Sequence, residues 1–370
     1  MSSHTLKVIH LASGDRWAGA EVQLFTLLSQ LHKMPAVEVR AILLNDGELA
    51  ERLRSKGIPI DILDEGKLAS PTIFIQLIKL LRKHNPDVLH THRQKENIFG
   101  SIANALSVRA RSVRTVHGAN ENPPKTLPHK LVQALDRWTG NHLQQKIIAV
   151  SDDLAQKLKN NFVPERIVII ENGVDIDAVR ASVKPVDFRE REPDAIHIGI
   201  VGRLDPVKRI DIFLNMAKLL IDEQPQRPWR FHIFGEGKLL ADLTQQSERL
   251  GIDNAVTFHG HRTDIASCIA ALDALIMCSD HEGLPMTALE AMALGTLMAA
   301  HAVGGLNKLL HNNAGGVLVS NHTPIQYGTE LKQLLQQNRD EIQTRGMQRL
   351  QERYSAHTNA TLISQLYGRC

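Results

Sequence analysis

The stretch LKVIHLASGDRWAGAEVQLFTLLSQLHK, residues 6–33, decides the fold. LKVIHLAS has the apolar, partly β-branched character of a strand, and AEVQLFTLLSQLHK repeats its apolar residues at helical spacing. A glycine-containing loop joins them and ends at Gly19, just before the helix. The same unit recurs along the chain. VEVRAILL, PIDIL, PDVLHTH, SVRTVHG, KIIAVS and RIVII read as strands, with IFIQLIKLLRKH, ENIFGSIANALS and SDDLAQKLKNNF as helices between them. Ser151 ahead of Asp152 and Asp153 is a good N-cap with acid in the first turn. Strand–helix alternation of this kind argues for a parallel sheet covered on both faces.

The rhythm breaks at residues 181–194, ASVKPVDFREREPD, which carry charge and proline without periodicity and read as a linker. It restarts at AIHIGIVG. IDIFLNMAKLLIDE, LLADLTQQSERLG and DIASCIAAL follow as helices, and WRFHIFG, AVTFHG and ALIMCS as strands. The expected class is therefore α/β, with two doubly wound Rossmann-like domains, residues 1–180 and 195–345, facing each other across a cleft. Residues 346–370 read as a charged helical segment able to pack back on the N-terminal domain.

The 370 residues suit two moderate cores, and the charged and apolar fractions are those of a globular chain. No apolar run approaches the roughly 20 residues of a membrane span, and the N-terminus lacks a signal-peptide pattern. Cys268, Cys278 and Cys370 lack zinc-ligand spacing and fit reduced thiols in a cytoplasm. The net charge of +3 does not imply nucleic acid. The excess of about five positive charges up to Arg180 is uneven, with Arg109, Arg111, Arg114, Lys125, Lys130 and Arg137 contributing much of it. It suits either a solvated basic face or contact with an anionic membrane or acceptor.

Ligands of open α/β sheets bind beyond the carboxyl ends of the strands. Candidate residues stand in those places: Gly19 after the first strand, His117 after SVRTV, Gly202 and Arg203 after AIHIGIV, and Glu282 after ALIMCS. In VGRLDPVKR an arginine fork at Arg203 and a point charge at Lys208 flank a proline turn before a helix. That combination suits a diphosphate, or is a turn with solvated cations. His90 and His92 share a strand face but lack further ligands at metal spacing, so they read as polar residues at a strand end. No residue occupies a nucleophile elbow, and no acidic cluster suggests a metal. In HEGLPMTALEAMALG, Glu282 precedes a Gly-Leu-Pro turn and Glu290 lies within a mostly apolar helix. A carboxylate in a buried helix needs a partner, and the vicinal hydroxyls of a ribose or sugar are suitable.

Taken in order, the glycine-containing first loop, TVHG, IENGVD, VGRLDPVKR, FHIFGEG, VTFHGHRTD and SDHEGLPMTALEAMALG…VGG resemble the retaining glycosyltransferases of family four, of GT-B architecture. The resemblance covers nearly the whole chain. It implies that Arg203 and Lys208 hold a donor diphosphate, Glu290 the ribose and Glu282 the transferred sugar. Backbone amides of Gly283, Leu284 and Met286 would approach sugar and phosphates, with Gly202 beside them. His117 would sit near the sugar, Gly19 would line the diphosphate, and His261 and Arg262 would lie along the base. Two departures stand out: Ala18 replaces the first of a common Gly-Gly pair, and Asn307 and Lys308 replace a usual Pro-Glu. The implied reaction moves a sugar from a nucleotide-sugar co-substrate, a UDP-sugar ahead of a GDP-sugar, to a hydroxyl of a glycan or lipid-linked acceptor. No metal or other cofactor is expected. His117, Arg203, Lys208 and Glu282 are the expected catalytic group. Surface polysaccharide, lipopolysaccharide or glycolipid synthesis is the usual setting, in the cytoplasm or peripheral to its membrane. A non-hydrolysing epimerase of the same architecture, or a binding subunit without transfer activity, are the alternatives. A nicotinamide dehydrogenase would require a complete glycine fingerprint, which FGEG lacks.

Overall fold

The computed structural model describes residues 5–15, 17–118 and 126–369. Lys125 and Cys370, singled out above, lie outside them. The chain divides into two compact units, residues 1–173 with 356–370, and residues 174–355. In the first, seven parallel strands stand in the order β3-β2-β1-β4-β5-β6-β7. They are β1 (Leu6–Ala12), β2 (Val37–Leu43), β3 (Ile60–Ile62), β4 (Val88–Thr91), β5 (Arg111–Val116), β6 (Lys146–Ala149) and β7 (Ile167–Ile169). In the second, six parallel strands stand in the order β10-β9-β8-β11-β12-β13. They are β8 (Ile196–Val201), β9 (Trp229–Phe234), β10 (Val256–Gly260), β11 (Ala274–Met277), β12 (Leu297–His301) and β13 (Gly316–Val319).

Alternation along each strand divides the core between two faces. On β1, Val8 and Ala12 join one apolar cluster while Ile9 and Leu11 join another. Several elements escaped the sequence pattern, β12 and the helix Leu127–His142 among them. LMAAH has the composition of a helix, yet forms β12, because a strand flanked by parallel neighbours and buried on both faces takes its stability from packing rather than propensity. The helix Leu127–His142 exposes most of its length and shows no buried apolar stripe.

Residues 181–194 are not a free linker. Helices Ile176–Ala181 and Asp187–Arg191 fall within the second unit and are tied to it by side chains. Arg189 bridges to Asp273 at 3.1 Å, Glu192 accepts from Arg230 Nε at 2.6 Å, and Phe188 packs against His232 with ring centroids 4.2 Å apart. Asp187, Arg189, Arg191 and Glu192, four of the charges in this stretch, are ion-paired. The final helical segment is also interrupted: Arg339–Arg353 belongs to the second unit, and Ala356–Arg369 to the first. There Ala360, Ile363 and Tyr367 are buried in the cluster formed by β1, β2, β4 and the first helix, Gly19–Leu31.

Ile363→Ala removes a buried side chain from that cluster, at a cost of about 2–5 kcal/mol. Because a two-unit chain need not unfold in one step, hydrogen exchange is the suitable measurement. Protection should fall in β1 and the helix Gly19–Leu31 while β8 and β9 stay unchanged. Equal loss in both units would contradict the assignment of the last helix to the first sheet.

Candidate functional site

Loops leaving an open parallel sheet diverge where the strand order reverses. In the second unit the chain leaves β8 toward β9 on one side and β11 toward β12 on the other. The loops after β8 and β11 therefore begin side by side. They are joined by the Asp280 amide, which donates to the Val207 carbonyl at 2.9 Å. Beyond this contact Lys208 Nζ donates to Glu282 Oε1 at 2.6 Å, with the Glu282 side chain only 10 % exposed. Gly202 leaves room for this lysine, since a Cβ there would press on its stem at 3.2 Å. The next residue, Arg209, takes left-handed backbone at φ 49° and clamps Asp211 and Asp280 at 3.0 and 3.3 Å. Sequence reasoning passed over this clamp; its only signal was a second cation directly after Lys208.

The loop after β12 braces the Glu282 segment. The Gly305 amide donates to the Gly283 carbonyl at 2.6 Å. Gly304 adopts φ 55°, and any Cβ there would overlap the Glu282 carbonyl oxygen. Glycine is required at this close approach. From the same segment rises the helix Met286–Leu294, whose N-cap, Pro285, makes no side-chain hydrogen bond. The side chains of Leu284 and Met286 are buried, so these residues face the loop edge through backbone alone. Glu290 sits on the second turn among buried Ala288, Leu289, Ala291 and Met292. Burial alone pushes its carboxyl up to about 7, with no charge or hydrogen bond of the described residues opposing the shift.

The remaining expected residues divide. Arg203 follows β8, but its side chain is 67 % exposed and pairs with Asp205 at 2.9 Å, not with the Lys208–Glu282 pair. The β10 loop reaches the same edge through backbone: Gly235 donates to the Gly260 carbonyl at 2.8 Å and Leu204 to that of Glu236 at 2.9 Å. His261 is exposed there, and Arg262 is occupied by Asp264 at 2.7 Å. Gly19 and His117 belong to the first unit. Gly19 opens a helix and has open space where a side chain would stand. Ala18, the departure noted above, serves as its extended N-cap. His117 follows β5 and stacks on His92, and burial lowers it to about 4.

Both halves of the chain match models of glycosyltransferase families. Residues 17–178 match Glycosyltransferase Family 4, and residues 195–337 match Glycosyl transferases group 1. The chain belongs to these glycosyltransferases. An Escherichia coli UDP-Gal:alpha-D-GlcNAc-diphosphoundecaprenol alpha-1,3-galactosyltransferase is 28 % identical over 321 residues, covering 81 % of this chain and 83 % of the relative. A D-inositol 3-phosphate glycosyltransferase of Thermobispora bispora is 26 % identical over 351 residues, covering 86 % and 78 %. The crystal structure of Anabaena HepE in complex with UDP-glucose superposes with a TM-score of 0.82 at 20 % identity, over 99 % of this chain and 100 % of that one. The two Rossmann-like units are thus those of the GT-B glycosyltransferase fold.

The raised Glu290 carboxyl has a measurable consequence for stability. Its folded value, about 7, lies above the ordinary value of 4.5, so between the two the folded chain holds a proton that the unfolded chain has released. Stability therefore falls as pH rises through this window. Glu96, likewise pushed up to about 7 by burial, adds to the same slope. Glu290→Gln removes only the first contribution. Thermal unfolding at about pH 5 and about pH 8 should show a smaller drop in Tm for the variant than for the wild type. Parallel curves would mean that Glu290 is solvated and ionised throughout.

Proposed function

We propose that this glycosyltransferase takes a nucleotide-sugar donor on its second unit and transfers the sugar, with retention, to a hydroxyl of a glycan or lipid-linked acceptor held by the first. The observation that carries the reading is the pairing of Lys208 with Glu282 at the switch point, with Glu290 one helical stretch beyond. The names of the relatives support a UDP-sugar ahead of a GDP-sugar. The Escherichia coli enzyme is named for UDP-Gal and a diphosphoundecaprenol acceptor, and the Anabaena protein is seen with UDP-glucose. Such an acceptor fits surface polysaccharide or glycolipid synthesis.

In this reading Lys208, the amides around Gly283 to Met286, and Arg203 once it swings from Asp205 receive the diphosphate. These fixed and mobile positive groups take the part a divalent ion would otherwise play. The bond from the sugar's anomeric carbon to the diphosphate breaks as the acceptor oxygen bonds to that carbon from the same face. The acceptor's proton passes to the departing phosphate oxygen. Preorganised charge at the leaving group then supplies much of the rate. Glu290 accepts from the ribose diol and Glu282 from the sugar hydroxyls, while His261 and Arg262 flank the base.

The two glutamates separate the contributions. Glu290→Gln should weaken binding of UDP alone, since a hydrogen bond to a charged group contributes about 1.5–3 kcal/mol. In the wild type UDP affinity should rise with pH through about 7 as Glu290 ionises, and the variant should lose that dependence. Glu282→Gln frees Lys208 of its competing carboxylate, so UDP affinity should hold or rise modestly while turnover of the intact donor falls. Calorimetry with UDP, beside initial rates with UDP-sugars, reads both. Wild-type behaviour in both variants would remove the donor assignment.

A lipid-linked acceptor also requires access to a membrane surface. No helix among the described residues is long and apolar enough to cross one. The helix Leu127–His142, however, exposes Leu127, Leu131, Val132, Leu135 and Trp138, with Leu127 at 71 % and Trp138 at 47 %. Lys130 and Arg137 are exposed on the same helix, which suits peripheral contact with anionic lipid. Vesicles containing phosphatidylglycerol should retain the protein and phosphatidylcholine vesicles should not, with Leu131→Glu abolishing retention. Equal behaviour on both vesicles would dismiss the contact.

A further inference from the structure

The first sheet carries a file of aromatic and hydroxyl side chains, of which the family resemblance assigns a role only to the last, His117. Alternation places His10 on β1, His90 and His92 at the end of β4, and Thr115 and His117 at the end of β5 on one face. His10 and His90 are direct register partners. His10 and His90 have no solvent exposure, and His92 has 5 %. Rings so buried must satisfy both nitrogens from within the protein.

They do so in single file. His90 Nε2 meets Thr115 Oγ1 at 2.8 Å, and His90 Nδ1 meets the Tyr367 hydroxyl at 2.6 Å. The same hydroxyl meets His10 Nε2 at 3.1 Å, and His10 Nδ1 meets His92 Nε2 at 2.9 Å. His92 Nδ1 reaches His117 Nε2 at 3.4 Å. His117 Nδ1 ends the file, buried and without a hydrogen-bond partner among the described residues. A neutral imidazole offers one donor and one acceptor, so fixing the direction of one link fixes every other.

Tyr367 sets that direction. Bonds donated by O–H are shorter than those donated by N–H. The hydroxyl thus donates across the 2.6 Å link to His90 and accepts across the 3.1 Å link from His10 Nε2. His10 Nδ1 then accepts from His92 Nε2, and His92 Nδ1 accepts from His117 Nε2, which leaves a lone pair on His117 Nδ1. Desolvation holds His10, His90 and His92 well below their ordinary range and His117 at about 4, with Arg93 adding to the lowering at His92 and His117. The rings therefore stay neutral at neutral pH.

We propose that Thr115, His90, Tyr367, His10 and His92 are positioning residues that hold His117 in its Nε2–H tautomer, its Nδ1 lone pair turned to a hydroxyl of a sugar or acceptor. The ligand half of this statement rests on the proposed function; the tautomer half does not. His10, His90 and His92 also bring nitrogens within 4.8 Å of one another, as a metal site would. A metal would need lone pairs that these hydrogen bonds already use.

Ring-15N-histidine labelling, read by long-range 1H–15N correlation on the ligand-free protein, tests the tautomer directly. His117 should appear as a single Nε2–H form from about pH 6 to pH 8. Tyr367→Phe keeps the ring but cuts the file, and should give His117 mixed tautomers. The same variant should lower kcat roughly ten- to a hundredfold with donor KM little changed, as a misplaced contact does. An Nδ1–H tautomer in the wild type would overturn the proposal. So would a Tyr367→Phe variant that loses stability while its tautomer and kcat stay those of the wild type. Stoichiometric zinc uptake that shifts the His10, His90 and His92 signals would replace the file with a metal site. A wild type that shows the tautomer but fails to bind UDP in calorimetry would sink the proposed donor instead.

Discussion

Both sheets are parallel and covered on both faces, so a polar side chain on a central strand cannot reach water and must be answered inside the protein. Much of the arrangement follows from this constraint. In the first sheet the answer to His10 and His90 comes from the far end of the chain, as the hydroxyl of Tyr367. Arg114 on β5, 1 % exposed, is answered by Asp136 at 2.9 Å and by Gln144. In the second sheet His197 passes from the Glu192 carbonyl at 2.8 Å to His232 at 2.9 Å, and His232 to His259 at 2.9 Å. Each answer ties a peripheral segment to a strand. The final helix and the segment 181–194 are anchored where buried polar groups need them.

At the carboxyl ends of the strands the constraint relaxes, and chemistry becomes accessible. Lys208 and Glu282 come from different loops, 74 positions apart, and meet because β8 and β11 are neighbours. Gly202 and Gly304 serve this meeting by leaving space, one for the lysine stem and one for the Glu282 backbone. The first unit shows the same transition. His90 lies deep in the sheet, His92 stands past the end of β4, and His117 stands past the end of β5 with one nitrogen unanswered among the described residues.

What the sequence made legible follows from locality. Strand and helix periods are short-range, so the α/β class and most of the strands could be read. Glu290 was legible because a carboxylate among MTALEAMAL conflicts with its own neighbours. Contacts between distant segments left no such trace. Tyr367 and His10 are 357 residues apart, and nothing near either announces the other. Residues 181–194 read as a linker for a related reason: Asp273 and Arg230, which pair with Arg189 and Glu192, are remote in sequence. The paired histidines of VLHTH read as a polar strand end, since the third ring and the phenol stand on other elements.

The two glutamates that flank the Gly-Leu-Pro turn end in opposite electrostatic states, and this difference suits them to different partners. Glu282 is charge-compensated by Lys208 at 2.6 Å. A diphosphate arriving at Lys208 would compete for that ammonium and turn Glu282 toward neutral donors such as sugar hydroxyls. Binding of the anion and presentation of the carboxylate are then one event, since a single lysine serves both. Among the described residues no cation compensates Glu290, and burial raises it to about 7. In the proposed reading a ribose diol would bring two O–H donors to its carboxylate, stabilising the charged form that burial disfavours. In that reading one carboxylate would give up a partner as the ligand enters, and the other would gain one. The six-stranded sheet of the second unit holds both, on a single short loop and the helix that follows it.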